Sequence, residues 1–275
     1  MDKIYFLWLQ KIACKNSKLN IRIYEEKILP YKELLIKEFN EEMNYKEDLY
    51  RLNLDISIIN NFLDKNIKEE VKELYDKIKK YEFSIITIED EEYPRKLLKI
   101  PTNPIFCYIT NTKFNLNNKN VYVYFNDYFT KYARNLISYF AKIISEENAN
   151  LITEYEGRKI EKINIISEDM FKNIEKNKEN CIIIPVNCYL NEFRVNLIDI
   201  LVIIEAKYES KIVNIVDKII GMGKDIYVVP SNIYNKNSYF SNYLIKQGAD
   251  IILNKWDLKF VLKNIICWQF FLFII

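Results

Sequence analysis

From about residue 83 the chain alternates short apolar runs with longer stretches of helical spacing. The clearest case spans residues 200–253. Ile200–Ile204 is an unbroken apolar run, and Ser210–Ile220 has helical spacing. Asp225–Val229 is apolar again and stops at Pro230. Tyr239–Gln247 is a second helix candidate, closed by Gly248, and Ala249–Leu253 is a third apolar run. Strand, helix, strand, helix, strand is the pattern of a parallel sheet with crossover helices. Strands covered on both faces show as continuous apolar runs, as these do. Gly221, Gly223 and Gly248 stand where each helix must stop and turn back.

The same alternation runs upstream. FSIITIED from Phe83, IFCYI from Ile105, NVYVYF from Asn120, ANLITEY from Ala149, INIIS from Ile163 and CIIIPV from Cys181 are predicted strands. Pro94 starts a short helix, while Pro101 and Pro104 impose extended chain. Helices are expected over Thr130–Glu147 and Met170–Asn180, with irregular chain from the end of CIIIPV to Asn196. Before residue 80 the spacing is helical throughout. YFLWLQKIA opens the chain, Pro30 suits a first helical turn, and Tyr31–Leu54 continues near a 3.6 period. Asp55 or Ser57 is placed to cap a short helix. NIKEEVKELYDKIKKYE carries Val71, Leu74, Tyr75 and Ile78 on one stripe, with acidic residues early and lysines late. The pattern predicts an α/β fold: a Rossmann-like, doubly wound, mostly parallel sheet preceded by a small all-helical domain. The expected division is 1–80 helical, 81–258 Rossmann-like and 259–275 an apolar tail.

Composition narrows the chemistry. The 275 residues are 49% hydrophobic and 28% charged, the profile of a globular protein. A net charge of +2 favours no nucleic-acid partner globally, so local patches must carry any such case. No histidine is present, which removes Ser-His and Cys-His catalysis and the commonest metal ligand. Cys14, Cys107, Cys181, Cys188 and Cys267 are dispersed and make no CxxC pair, so buried thiols in a reducing cytoplasm are expected, with no metal and no cofactor. The tail from Ile265 to Ile275 is apolar except for Gln269, yet shorter than the ~20 residues that span a bilayer. Docking on the domain is its expected role; membrane-surface or partner contact is the alternative.

Doubly wound folds bind ligands beyond the carboxyl ends of their strands. There the sequence offers Lys131, Arg134, Arg158, Arg194, Lys207 and Lys211, with Tyr128, Tyr132 and Tyr208 nearby. Cations beside aromatic rings suit a single-stranded nucleic acid, whose phosphates they pair and whose bases they stack. Asp127, Glu154, Glu156, Glu192 and Glu209 oppose this. Lys224 lies at the opposite end of its strand. Dinucleotide binding is excluded by the lack of a G-x-G-x-x-G turn after an early strand. A catalytic pairing of Glu154 with Glu205 has no third group to fix it.

Three blocks in order resemble the DNA-processing protein A family (DprA, also called Smf). Tyr93, Pro94, Leu97, Ile100 and Pro104 match its first motif. Asp199, Glu205, Ala206, Ser210, Gly223 and Pro230 match the second, and Ser238, Asn242, Leu244, Ile245, Gly248 and Ala249 the third. The resemblance covers most of residues 1–258, and Ser210 joins the candidate DNA contacts through it. It implies a non-enzymatic, cytoplasmic, homodimeric protein that binds single-stranded DNA and loads RecA recombinase in natural transformation and recombination. The departures fall on the family's loops. Phe125, Asn126 and Asp127 replace a Gly-Ser-Arg-like loop, so Phe125 is expected to block a phosphate's approach and Asp127 to reverse the charge. Only Thr153 and Arg158 remain of a second loop, and Asn191 of an Arg-Asn-Arg motif. A degenerate member that keeps the fold as a protein-interaction module is the alternative reading.

Overall fold

The computed structural model describes residues 2–16, 18–40, 46–99, 104–126, 128–154, 160–167, 180–184 and 190–264. The chain forms two compact units. One is Met1–Lys113 with Ile165–Asn196, and the other is Phe114–Asn164 with Leu197–Ile275.

The first unit opens with α1 (Asp2–Lys15). A 3-10 turn with Pro30 in its first positions leads into α2 (Lys32–Phe39), and α3 (Lys46–Arg51) follows. The helical spacing over Tyr31–Leu54 is thus met by two short helices among the described residues. Asp55 caps α4 (Ile56–Leu63) by accepting from the Ser57 amide, as its position predicts. Helix α5 (Lys65–Lys80) buries Val71, Leu74 and Ile78. Trp8 packs its ring against Phe39 at 5.1 Å and Phe62 at 5.0 Å.

These helices share one apolar core with strands β1 (Ser84–Thr87) and β2 (Cys107–Thr110). Gln10 of α1 helps join them, its side-chain oxygen accepting from the Phe106 amide at 2.6 Å. The change of period near residue 80 is thus a change of local structure inside one unit. Tyr93 is fully buried and donates its hydroxyl to the Ile105 carbonyl, so the Tyr-Pro motif clasps the chain leading into β2.

Nine strands fall among the described residues, and they make two sheets instead of one. After β3 (Asn120–Tyr124) and β4 (Asn150–Ile152) come β5 (Asn164–Ser167) and β6 (Cys181–Ile184). The order β1-β2-β6-β5 forms a four-stranded sheet in which β2 is antiparallel to both neighbours. Its inner strands are buried on both faces, so they carry the same apolar runs as parallel ones. The segment expected to be irregular up to Asn196 contains a helix, Leu190–Leu197. Its buried Phe193 and Leu197 lie four residues apart, and two turns are too few to register as a period. The helix expected over 170–180 lies outside the described residues, as do Cys188, Cys267 and the apolar tail from 265 onward. Cys107 and Cys181 are buried, and Cys14 is half-buried.

The second unit is a five-stranded, wholly parallel sheet of order β4-β3-β7-β8-β9, where β7 is Ile200–Ile203, β8 Asp225–Val228 and β9 Asp250–Ile251. With Leu190–Leu197 as α7, its helices are α6 (Lys131–Glu146), α8 (Ile212–Gly221), α9 (Tyr239–Lys246) and α10 (Lys255–Asn264). The connection from β3 through α6 to β4 runs one way along the sheet. Those from β7 through α8 and α9 to β9 run the other way. Right-handed crossovers in opposite directions set α6 on one face and α8 and α9 on the other. The packing agrees. Val121, Val123, Ile200 and Val202 meet Ile137, Phe140 and Ile144 of α6 and Leu258 and Val261 of α10. Helix α8 buries Ile212, Ile215, Val216 and Ile219 apart from that cluster. The order reverses between β3 and β7, and ligands of such sheets bind beyond that point.

Candidate nucleic-acid interface

Beyond the carboxyl ends of β3 and β7 lies an open cleft of about 450 Å³. Tyr124, Asn126 and Tyr128 line it from one strand's end, and Lys207, Glu209, Ser210, Lys211 and Asn214 from the other. A hydrogen-bonded polar layer ties together the loops that carry it. Glu205, fully buried at the end of β7, accepts from the Thr130 amide at 3.2 Å, the Thr130 hydroxyl at 2.7 Å and the Asn235 side chain at 3.1 Å. Thr130 in turn caps α6 by accepting from the Ala133 amide at 3.1 Å. Asn126 accepts from the Lys207 amide at 3.0 Å and donates to the Asn237 carbonyl at 2.7 Å. Three loops, after β3, β7 and β8, are thereby fixed to one another.

Burial first, and then the Glu205 carboxyl, pushes the Tyr132 phenol above its ordinary value. The hydroxyl therefore stays protonated through physiological pH.

The predicted contacts divide into groups. Lys207, Ser210 and Lys211 come together in the cleft, at the start of α8, where a helix N-terminus favours an anion. Ser210 turns its hydroxyl inward to the Lys207 carbonyl at 2.5 Å, so it shapes the turn that presents the lysines. Lys211 is exposed and pairs with Glu154 at 3.0 Å. Lys131 and Arg134 stand exposed on the first turn of α6, on the same edge, with the Arg134 guanidinium 5.4 Å from the Phe129 ring. Arg194 belongs to the other unit and is buried at 7% exposure, so it is not offered to an external phosphate. Arg158 and Asp127 lie outside the described residues.

One expectation about the loops changes, and the reading against a glutamate pair holds. Phe125 does not obstruct the cleft: it is buried in the core against Phe129, with ring centroids 4.9 Å apart. Alternation along β3 sends the next residue, Asn126, to the cleft instead. Glu154 and Glu205 do not form a carboxylate pair, since the first bonds to Lys211 and the second to Thr130 and Asn235. Asn214 and the positioning roles of Asn126 and Glu205 went unread in the sequence. Their partners lie far along the chain, 111 residues apart for Asn126 and Asn237 and 75 for Glu205 and Thr130. Among the described residues no group of three His, Cys, Asp or Glu is placed to hold a metal, and no helix is long and apolar enough to cross a membrane.

No family model matches the sequence, and no curated protein matches it. Solved structures do match. DNA processing protein A (DprA) from Streptococcus pneumoniae superposes with a TM-score of 0.58 at 14% identity, covering 94% of this chain and 96% of that one. DNA processing protein A from Helicobacter pylori, described as having a unique single-stranded DNA binding mode, gives a TM-score of 0.51 at 15% identity, over 66% of this chain and 96% of that one. The chain shares its fold with the Streptococcus pneumoniae structure over nearly its whole length and with the Helicobacter pylori structure over two thirds of it.

Proposed function

We propose that this protein binds single-stranded DNA at the carboxyl edge of its parallel sheet, acting as a binding protein and not as an enzyme. The observation that carries the reading is the cleft at the switch point between β3 and β7. It gathers Lys207 and Lys211 beside the exposed ring of Tyr128. Lysines pair phosphates without regard to sequence, and exposed aromatic rings accept any base. Glu209 and the Glu154 partner of Lys211 temper the positive charge. Binding is therefore expected to be moderate, salt-sensitive and indifferent to sequence. The single-strand binding described for the Helicobacter pylori protein supports the same use of this fold.

The family resemblance extends the proposal. The protein would work in the cytoplasm as a homodimer that hands single strands to RecA recombinase during natural transformation and recombination. A gel shift at low ionic strength, with single-stranded and duplex oligonucleotides side by side, tests the binding. A retarded single-strand band that disappears as salt rises is expected; no band at low salt overturns the reading.

A second reading is a protein-interaction module. Leu253, Trp256 and Phe260 favour it, since all three expose large apolar side chains at and after the end of β9. Light scattering over a concentration series that finds only a monomer counts against it.

A further inference from the structure

Beside the cleft, Tyr208 and Tyr243 are large aromatic side chains left open to solvent, 51% and 41% exposed, and they meet over the buried ring of Phe240. Ring centroids are 5.5 Å apart for Tyr208 and Phe240, 5.7 Å for Tyr208 and Tyr243, and 6.3 Å for Phe240 and Tyr243. The last two rings are nearly parallel, at 25°. The assembly is pinned through the backbone. The Phe240 and Ser241 amides donate to the Ala206 carbonyl at 2.9 and 3.3 Å, which fixes the start of α9 to the loop that carries Tyr208. Tyr208 itself lies between Lys207 and Glu209, both of which line the cleft. A phosphate held by Lys207 and Lys211 would bring its attached nucleotide to these rings.

We propose that Tyr208 and Tyr243, seated on Phe240, form a stacking platform for an unpaired base of the strand whose phosphates occupy the cleft. The proposal rests on the single-strand reading above and adds the discriminating element to it. Lysines alone hold any polyanion, duplex included, whereas an open π face rewards a base that is free of its partner. Tyr243 is held by its helix and Tyr208 by the rings beneath it, so little ordering is needed on binding.

Fluorescence anisotropy with a labelled oligothymidylate and an abasic deoxyribose-phosphate strand of equal length tests this. The unmodified protein is expected to bind the base-bearing strand at least about five-fold more tightly than the abasic one. Tyr208→Ala should remove most of that difference and leave abasic binding unchanged, Tyr208→Phe should restore it, and Tyr243→Ala should repeat the loss. Equal binding of the two strands by the unmodified protein overturns the platform and leaves the phosphate cleft standing. So does a Tyr208→Ala variant that weakens both strands alike. Failure of both strands to bind at low ionic strength overturns the single-strand reading and the platform with it.

Discussion

The two edges of the parallel sheet are built from similar residues and present them differently. At the amino edge the Asp199 carboxyl accepts from the Asn120 amide at 2.8 Å. Asn120 donates to the Leu116 carbonyl at 2.8 Å, and Asn150 donates to the Asn115 carbonyl at 2.7 Å and to Asn120 at 2.9 Å. Lys119 gives its ammonium to the Leu262 carbonyl, and Lys224 gives its own to the Ile198 carbonyl at 2.6 Å. Donors and acceptors there are turned on the protein itself. At the carboxyl edge a comparable hydrogen-bonded layer, Glu205, Asn126, Thr130 and Asn235, ties the loops together and leaves Lys207, Lys211 and Tyr128 facing an open cleft. The lesson concerns lysines. At the amino edge, carbonyls within reach of Lys119 and Lys224 turn both on the fold, whereas Lys207 and Lys211 line the cleft.

Removing the buried layers gives the largest effect. Glu205→Ala takes the acceptor from the Thr130 amide and hydroxyl and is expected to cost about 3 kcal/mol in urea unfolding, with single-strand binding lost as the loops part. Asn120→Ala removes the side-chain bonds to Leu116 and Asn150, and should cost about 2 kcal/mol by the same measurement and leave binding by the folded protein unchanged. Binding lost equally in both variants would erase the distinction between the edges.

A smaller effect is expected in the opposite direction. Glu154 holds Lys211 at 3.0 Å and competes with a phosphate for it. Glu154→Gln should therefore tighten single-strand binding, by up to about five-fold, given the modest strength of exposed ion pairs. Anisotropy titrations of the two proteins side by side check this, and weaker binding by the variant would remove Lys211 from the interface.

The smallest effect is a pH dependence at the amino edge. Burial lowers the Lys119 amine below its ordinary value of 10.5, and the Asp199 carboxyl opposes that only in part. The folded protein thus releases this proton before the unfolded chain does. A folding penalty present at lower pH is relieved as pH rises through the folded value, fully so above 10.5. Compared with Lys119→Met, the unmodified protein should gain stability as pH climbs towards that range. Parallel unfolding midpoints for the two proteins would show that Lys119 titrates normally.

Much of this was legible in sequence because it is local. The runs at Ile200–Ile203 and Asp225–Val228 could be read as buried strands, and Gly223 and Gly248 as helix stops, since both adopt positive φ, +65° and +99°. Lys207 and Lys211 follow a strand at the sheet's switch point, so they too were readable. What was hidden depends on distant partners. An apolar run at Cys107–Thr110 looks the same whether its neighbour runs parallel or antiparallel, so the separate four-stranded sheet could not be seen. The charge of Arg194 suggested surface, yet tertiary structure buries it. Phe125 read as an obstruction, but strand alternation sends its ring to the core and leaves Asn126 to organise the loop. The matched residues Tyr93, Asp199, Glu205 and Asn242 all bond to backbone or capping groups of the fold. The resemblance therefore tracks the scaffold more closely than the exposed contacts.

The most direct test of the whole account sets the edges against each other in one experiment. Single-stranded DNA binding is followed by fluorescence anisotropy over a range of salt for the unmodified protein, for Lys207→Glu/Lys211→Glu and for Lys224→Glu. The carboxyl-edge double variant should bind at least about ten-fold more weakly, with its salt slope reduced by about 1.4, while the amino-edge variant follows the unmodified protein. Equal loss in both variants, or an unchanged slope in the double variant, would contradict the assignment of the phosphate site to the carboxyl edge.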